Sequence, residues 1–83
     1  MNANDARRMV NDYRRSRDEE MQSRAAKLRK EVDKSIQSQA SVGGIATFIP
    51  RPARLVERYL VQMLTDDGFT VETTNDNNLR IAW

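Results

Sequence analysis

The sequence predicts an α+β fold, in which a long N-terminal helix precedes a β-α-β-β unit with a small three-stranded sheet backed by helices. Residues 4–40 contain neither proline nor glycine and consist mostly of good helix formers. Residues 52–67 repeat apolar side chains at helical spacing, and residues 69–83 alternate apolar with polar ones. We therefore assign residues 1–40 to an amphipathic helix and residues 41–83 to the β-α-β-β unit, which together form one domain.

The first helix is expected to begin at Asn4 and Asp5, which suit an N-cap and a negatively charged first turn. Farther along, apolar side chains recur every three or four residues and form a narrow stripe on one helical face. Its members are Met21, Ala25, Leu28, Val32 and Ile36. A charged stretch precedes the stripe, so two alternatives stay open: one continuous helix, or two helices broken near residues 16–20.

A continuous helix over residues 4–40 would be a rod of about 50 Å at 1.5 Å per residue. A globule of 83 residues cannot cover that length. Part of the helix is therefore expected to project from the body or to pair with another chain.

Glycine and proline mark the elements that follow. The Gly43-Gly44 pair is expected to end the first helix. The β-rich run 45–49 stops at Pro50, and Pro52 is expected in the first turn of the second helix. That helix, assigned to residues 52–67, has the clearest amphipathic pattern in the chain.

The last part of the chain is predicted to form a β-hairpin. Gly68 ends the second helix as a residue with left-handed backbone. Apolar and polar side chains alternate over residues 69–74 and 79–83, and the Asn/Asp-rich stretch 75–78 supplies the turn. The three strands are expected to form a mixed or antiparallel sheet.

The chain contains no cysteine and no histidine. Disulfides, thiolate chemistry and cysteine-type zinc sites are excluded, and the commonest general base is missing. The carboxylate pairs Glu19–Glu20 and Asp66–Asp67 are sequence neighbours, which do not face each other on a helix. We therefore expect no catalytic residue, no cofactor and no metal site, and a function in binding another macromolecule.

The chain also lacks an apolar run near the roughly 20 residues that cross a bilayer. Its first residues are polar and show no signal-peptide pattern. A cytosolic protein without membrane contact is expected.

The outer part of the first helix is the candidate partner-binding site. Val10, Tyr13 and Met21 are expected to lie too far out for the body to cover, which would leave them for an intermolecular contact. Arg14 and Arg17 lie beside these residues and belong to the same candidate partner-binding site. Homo-oligomerisation through this helix is a further alternative.

The same helix offers an alternative nucleic-acid site. Its arginines would grip phosphates, with Tyr13 close by for stacking. The candidates are Arg7, Arg8, Arg14, Arg15 and Arg17. The other interpretation is an ordinary solvent-exposed helix. Nearby acids would then neutralise the arginines, and charged residues four positions apart would form ion pairs. The neutralising acids are Asp12, Asp18 and Glu19, and the expected pairs are Glu20–Arg24 and Lys27–Glu31.

A second basic patch is conceivable on the C-terminal unit, although ordinary exposed helix residues account for it equally well. Its members are Arg51, Arg54, Arg58 and Arg80. Trp83 alternates with Leu79 and Ile81, which favours capping of the core over a role as a partner anchor.

The order of short motifs resembles that of a loose group of short uncharacterised proteins of tailed bacteriophages and large DNA viruses. The motifs are M-x-A-x-x-A-R at Met1 to Arg7, I-x-x-x-A-x-x-G at Ile36 to Gly43, L-x-x-x-G-F-x-V at Leu64 to Val71, and I-x-W at Ile81 to Trp83. The junction Gly43-Gly44 departs from the group, because no charged residue follows the glycine. The group has no assigned activity, so the resemblance implies a viral setting only.

Together these observations favour a small non-enzymatic viral protein that acts on a host or virion protein, in the host cytoplasm or in the virion. The alternatives are a nucleic-acid-associated protein and a minor structural component of the virion.

Overall fold

A computed structural model describes residues 1–83 and confirms the α+β architecture. The elements are α1 (Ala3–Ala40), β1 (Ala46–Pro50), α2 (Arg54–Asp66), β2 (Thr70–Thr73) and β3 (Asn78–Ala82). The order helix, strand, helix, strand, strand is the predicted one.

Helix α1 is a single helix of 38 residues, so the alternative with a break near residues 16–20 is wrong. Asn4 is not its cap: the helix begins earlier because Asn2 and Asp5 form a capping box. The Asp5 N–H donates to Asn2 Oδ1 at 3.0 Å, and the Asn2 N–H donates to Asp5 Oδ2 at 3.4 Å. The molecule measures 61 × 24 × 17 Å, and α1 sets the long dimension.

Both helices end at a glycine with positive φ, as predicted: Gly43 at +83° and Gly68 at +90°. In each case the next N–H closes onto a carbonyl five residues back. The Gly44 N–H donates to Gln39 O at 2.8 Å, and the Phe69 N–H donates to Leu64 O at 3.0 Å. These are Schellman-type ends, which turn the chain sharply towards the following strand.

Helix α2 begins at Arg54, so the placement of Pro52 in its first turn is wrong. The Arg51 N–H donates to Asn77 O in the hairpin turn at 3.2 Å, and Ala53 is extended with ψ 146°. These features keep the chain out of helical conformation for a few residues beyond β1.

The sheet is fully antiparallel with strand order β1-β3-β2, which decides between the two predicted pairings. Strands β1 and β2 are parallel to each other because each runs against β3. Helix α2 connects them as a crossover, and the chain then places β3 in the gap between them. Asn78 belongs to β3 and not to the turn.

The core lies between the two helices and one face of the sheet. Its buried apolar members come from α1 (Ala25 and Val32), from α2 (Val56, Leu60 and Leu64) and from β3 (Leu79 and Ile81). No residue of α1 before Met21 takes part. The body therefore covers only the C-terminal half of the long helix.

Arg29 connects the two helices. Its guanidinium lies 2.9 Å from Asp67 at the end of α2, 2.7 Å from Asp33 on its own helix, and 5.5 Å from the ring centre of Phe69. Burial acts to lower the pKa of Arg29, but the hydrogen bonds and the charges of both carboxylates outweigh it and raise the pKa. Arg29 therefore stays charged and attaches the middle of α1 to the end of α2.

Candidate docking interface

The N-terminal half of α1 stands outside the body. Every residue of 3–20 is exposed, over a length of about 27 Å at 1.5 Å per residue. We call this segment the arm. Its first residues have no tertiary contact to hold them in a helix, so capping and the intrinsic propensity of its residues maintain its form.

An uncovered apolar row follows the arm. Ala6, Val10 and Tyr13 lie at i, i+4 and i+7, which places them on one helical face, with Met9 at its margin. The exposed fractions are 59% for Met9, 48% for Val10 and 66% for Tyr13. Arg17 continues the row towards the body. The structure thus places Val10 and Tyr13 beyond the reach of the core, as expected.

Met21 differs from that expectation. It is half-buried and packs against the core cluster of its own chain. The reason is that α2 runs alongside α1, so its first turn reaches farther along the rod than the sequence implied. Leu55, in that first turn, lines a crevice together with Arg14 and Arg17. Met21 therefore does not belong to the free apolar row.

The arm carries a short repeat, which was not among the sequence-based expectations. Asp5-Ala6-Arg7-Arg8 recurs seven residues later as Asp12-Tyr13-Arg14-Arg15. Seven residues are close to two helical turns, so equivalent residues stand above each other. The spacing of the two D-x-R-R copies was the signal available in the sequence.

This repeat sorts the arm's charges into rows. Arg7 and Arg14 border the apolar row, whereas Arg8 and Arg15 lie about 100° farther round the helix. The acidic row follows next in the same direction and consists of Asp5, Asp12 and Glu19.

None of the five arm arginines forms an ion pair. The ion pairs present are Arg24–Glu20, Arg29–Asp33, Arg29–Asp67 and Arg51–Glu57. The predicted pair Glu20–Arg24 is therefore confirmed, at 2.7 Å, while Lys27 and Glu31 are not paired. Asp12, Asp18 and Glu19 make no direct contact with these arginines, so the five guanidinium groups are open to solvent, although five carboxylates in the same segment bring its net charge to zero.

The two basic patches predicted separately are joined by the fold. A depression of 410 Å³ along the arm is lined by Ala6, Arg7, Val10, Asn11 and Arg14. A second, of 280 Å³, lies at the base of the arm and is lined by Arg14, Arg17, Asp18 and Leu55. A third, of 490 Å³, follows α2 and is lined by Arg51, Arg54, Leu55, Glu57, Arg58, Val61 and Gln62. Neighbouring depressions share one lining residue each, first Arg14 and then Leu55, and we call the three depressions together the trough.

Two arginines of the second patch differ from Arg54 and Arg58: Arg51 lines the third depression but is paired, and Arg80 lies elsewhere. Arg51 donates to both carboxylate oxygens of Glu57, at 2.8 and 2.9 Å. These hydrogen bonds, together with the charge of Glu57, raise the pKa of Arg51. Arg80 lies on β3 between the buried residues Leu79 and Ile81, so its side chain is on the face of the sheet opposite the core, next to Phe48 and Glu72.

Trp83 contacts Phe69 edge-to-face, with ring centres 6.5 Å apart and an interplanar angle of 87°. Trp83 lies at the end of the molecule opposite the arm. Trp83 is 41% exposed and is not among the residues packed against the core, so it does not cap the core as expected and reaches it only through Phe69.

No group of acidic, histidine or cysteine residues is arranged to hold a metal ion. Neither helix has the length and apolar character that a membrane crossing requires. No known protein family matches this chain, and no curated protein or solved structure shows significant similarity to it.

Proposed function

We propose that this protein is a small non-enzymatic viral docking module that binds a host or virion protein through the arm. The observation that carries the proposal is the apolar row of Ala6, Val10 and Tyr13 on a helix that the body leaves uncovered. The setting is the host cytoplasm or the virion, as the resemblance to viral proteins implies.

The physical support is the free energy available from covering that row. Full burial of a Val or Met side chain contributes about 1.5–3 kcal/mol. Met9, Val10 and Tyr13 retain about half or more of their exposure in the free protein, so a partner gains most of that contribution. The arm is helical before binding, which reduces the ordering entropy that association must overcome.

The test is capture from infected cells with two matched single-charge variants. Val10→Asp places a carboxylate in the apolar row, whereas Asn4→Asp places one on another side of the arm. We expect the partner to be lost with Val10→Asp and retained with Asn4→Asp, while circular dichroism shows equal helix content. Equal capture by both variants would rule out docking through the apolar row.

A second candidate function is nucleic-acid binding, favoured by the five arm arginines that make no ion pair. Phosphate contacts predict a steep salt dependence, with log affinity for duplex DNA falling by about 0.9 per neutralised phosphate per tenfold increase in salt. Replacing Arg7, Arg14 and Arg15 with Gln would then abolish binding. Docking through the apolar row predicts weak salt dependence instead.

Location within virions separates host partners from virion partners. If the partner is a virion protein, purified particles contain this chain at a fixed ratio to that protein. If the partner is a host protein, the chain stays in the cell extract and the particles lack it.

A further inference from the structure

We infer that the occupant of the trough is an acidic amphipathic helix of the partner protein, with carboxylates seven residues apart opposite Arg7 and Arg14. This inference rests on the proposed docking function and specifies its partner. It is carried by the geometry of two arginines, the charge of the trough and the apolar residues between the charges.

Arg7 and Arg14 point towards the trough. Each lies about five full turns before a buried residue of the same helix, Arg7 before Ala25 and Arg14 before Val32. Their side chains therefore leave α1 on the side that faces the core farther along. Because the body ends near Leu55, the same side of the arm faces open space above the first turn of α2.

The trough is strongly basic. Arg7 has no carboxylate three or four residues away on either side, and Arg14 has only Asp18. Arg8 and Arg15, in contrast, each have a carboxylate four residues on. Beyond the arm, Arg54 and Arg58 add positive charge, and Glu57 is already bound by Arg51. Charge complementarity therefore requires a negatively charged occupant.

Apolar residues between the charges favour a helix over a nucleic acid. Val10, Leu55 and Val61 line the trough between the arginines, and Asp18 stands at its centre. A phosphate backbone gains little from apolar contacts and is repelled by a carboxylate. No aromatic side chain lines the three depressions, and Tyr13 in the neighbouring apolar row is the only aromatic residue of the arm, so successive bases have no series of rings on which to stack. An amphipathic helix presents both the apolar side chains and the carboxylates that this surface needs.

The seven-residue repeat also excludes a second copy of the arm as occupant. With Val10 and Tyr13 in the seam of a helix pair, Arg7 and Arg14 take the flanking position that contacts the other helix. Antiparallel pairing of two copies sets Arg7 against the second copy's Arg14. Parallel pairing sets Arg14 beside the second copy's Met9, which offers no carboxylate. Two copies of the arm would therefore pair unfavourably, whereas an acidic helix supplies the carboxylates that Arg7 and Arg14 can bind.

The experiment uses a synthetic helix as probe. It is three heptads long, with leucine at positions a and d and glutamate at e and g; a second peptide carries glutamine in place of each glutamate. Fluorescence anisotropy with the full chain is expected to show binding of the glutamate peptide, about five- to tenfold tighter than that of the glutamine peptide.

Two arginine pairs supply matched variants. Arg7→Gln with Arg14→Gln is expected to lower the affinity for the glutamate peptide to that for the glutamine peptide. Arg8→Gln with Arg15→Gln removes the same charge on the neighbouring side of the arm and is expected to change the affinity less than about twofold. Equal losses from the two pairs, equal affinity for the two peptides, or no binding of the glutamate peptide would each overturn the inference.

Other outcomes distinguish failure of this inference from failure of the proposed docking function. If Val10→Asp abolishes capture of the natural partner but the Arg7 and Arg14 variant does not, docking stands and the acidic helix is wrong. If a duplex DNA oligonucleotide binds more tightly than the glutamate peptide and both arginine pairs matter, the nucleic-acid function replaces both proposals. Dimerisation of the free protein at micromolar concentration would also overturn the inference.

Discussion

The guanidinium of Arg29 lies 2.9 Å from the carboxylate of Asp67, which joins the middle of α1 to the C-terminal end of α2. Only 16% of the Arg29 side chain is exposed, and the same group reaches Asp33 and the ring of Phe69. This contact holds the two helices in register. The position of the arm over the first turn of α2 depends on that register.

Arg29→Ala is expected to lower the free energy of unfolding by about 1–3 kcal/mol, because it leaves the hydrogen bonds of two carboxylates unmade and uncovers Phe69. Urea denaturation monitored by circular dichroism measures the change. The matched variant is Arg24→Ala, which breaks the 2.7 Å pair with Glu20, whose side chains are 58% and 57% exposed. That loss is expected to stay below about 1 kcal/mol. Similar losses for both variants would contradict a structural role for Arg29.

Gly68→Ala is expected to destabilise the fold by about 1–2 kcal/mol, because Gly68 has φ +90° and an added Cβ makes that backbone unfavourable. No atom lies within 4 Å of the added Cβ, so the cost arises from the backbone alone. Gly68→Asn is the comparison, since asparagine tolerates positive φ better than alanine. Thermal denaturation should rank the variants as wild type, Asn, Ala. A Gly68→Ala variant as stable as wild type would refute this account.

Leu60→Ala is expected to cost about 2–5 kcal/mol, since Leu60 is fully buried at the centre of a small core. Because the core has only seven buried apolar residues, the protein has little free energy of unfolding to lose. We therefore expect the Leu60→Ala variant to lack a cooperatively folded state at 37 °C. Val42→Ala removes methyl groups from a side chain that is 80% exposed and should leave the denaturation midpoint unchanged. Comparable shifts for both variants would place the core elsewhere.

The arm is expected to exchange its backbone amides much faster than the body, because no tertiary contact protects residues 5–13. Hydrogen exchange measured by mass spectrometry compares these amides with those around Ala25 and Val32. Asn2→Ala removes the capping box and should accelerate exchange in the arm further, at a local cost of about 0.5–2 kcal/mol. Arm amides as slow as those of the body would show that another surface covers the arm in the free protein.

The elements predicted correctly are those that depend on near neighbours. The proline- and glycine-free stretch forms α1, Gly43 and Gly68 end the helices, and alternating residues form the hairpin. Two helix starts were misplaced by one or two residues: that of α1 because the local capping box of Asn2 and Asp5 was overlooked, and that of α2 because a contact from elsewhere intervened. The hydrogen bond from the Arg51 N–H to Asn77 O keeps the chain extended, so α2 begins after Pro52.

The candidate site was predicted only in part. Val10 and Tyr13 were expected to lie uncovered on a projecting helix, and they do; of the five arginines, Arg7, Arg14 and Arg17 line the trough, whereas Arg8 and Arg15 do not. Met21 was misplaced, and Leu55 and Val61 were missed as parts of the trough. Nothing local marks those residues, because they acquire their position when α2 packs beside α1.

By itself the sequence determined the α+β class, the order of the helices and strands, and the absence of histidine and cysteine, while it left open whether the first helix is continuous. Helix propensity, alternation and turn residues suffice for that, since each acts over a few positions. Only the tertiary structure decided that β3 lies between β1 and β2, that Arg29 binds Asp67, and that Arg14 and Arg17 line the same depression as Leu55. Such contacts join residues far apart in the chain, and their geometry follows from packing one element against another.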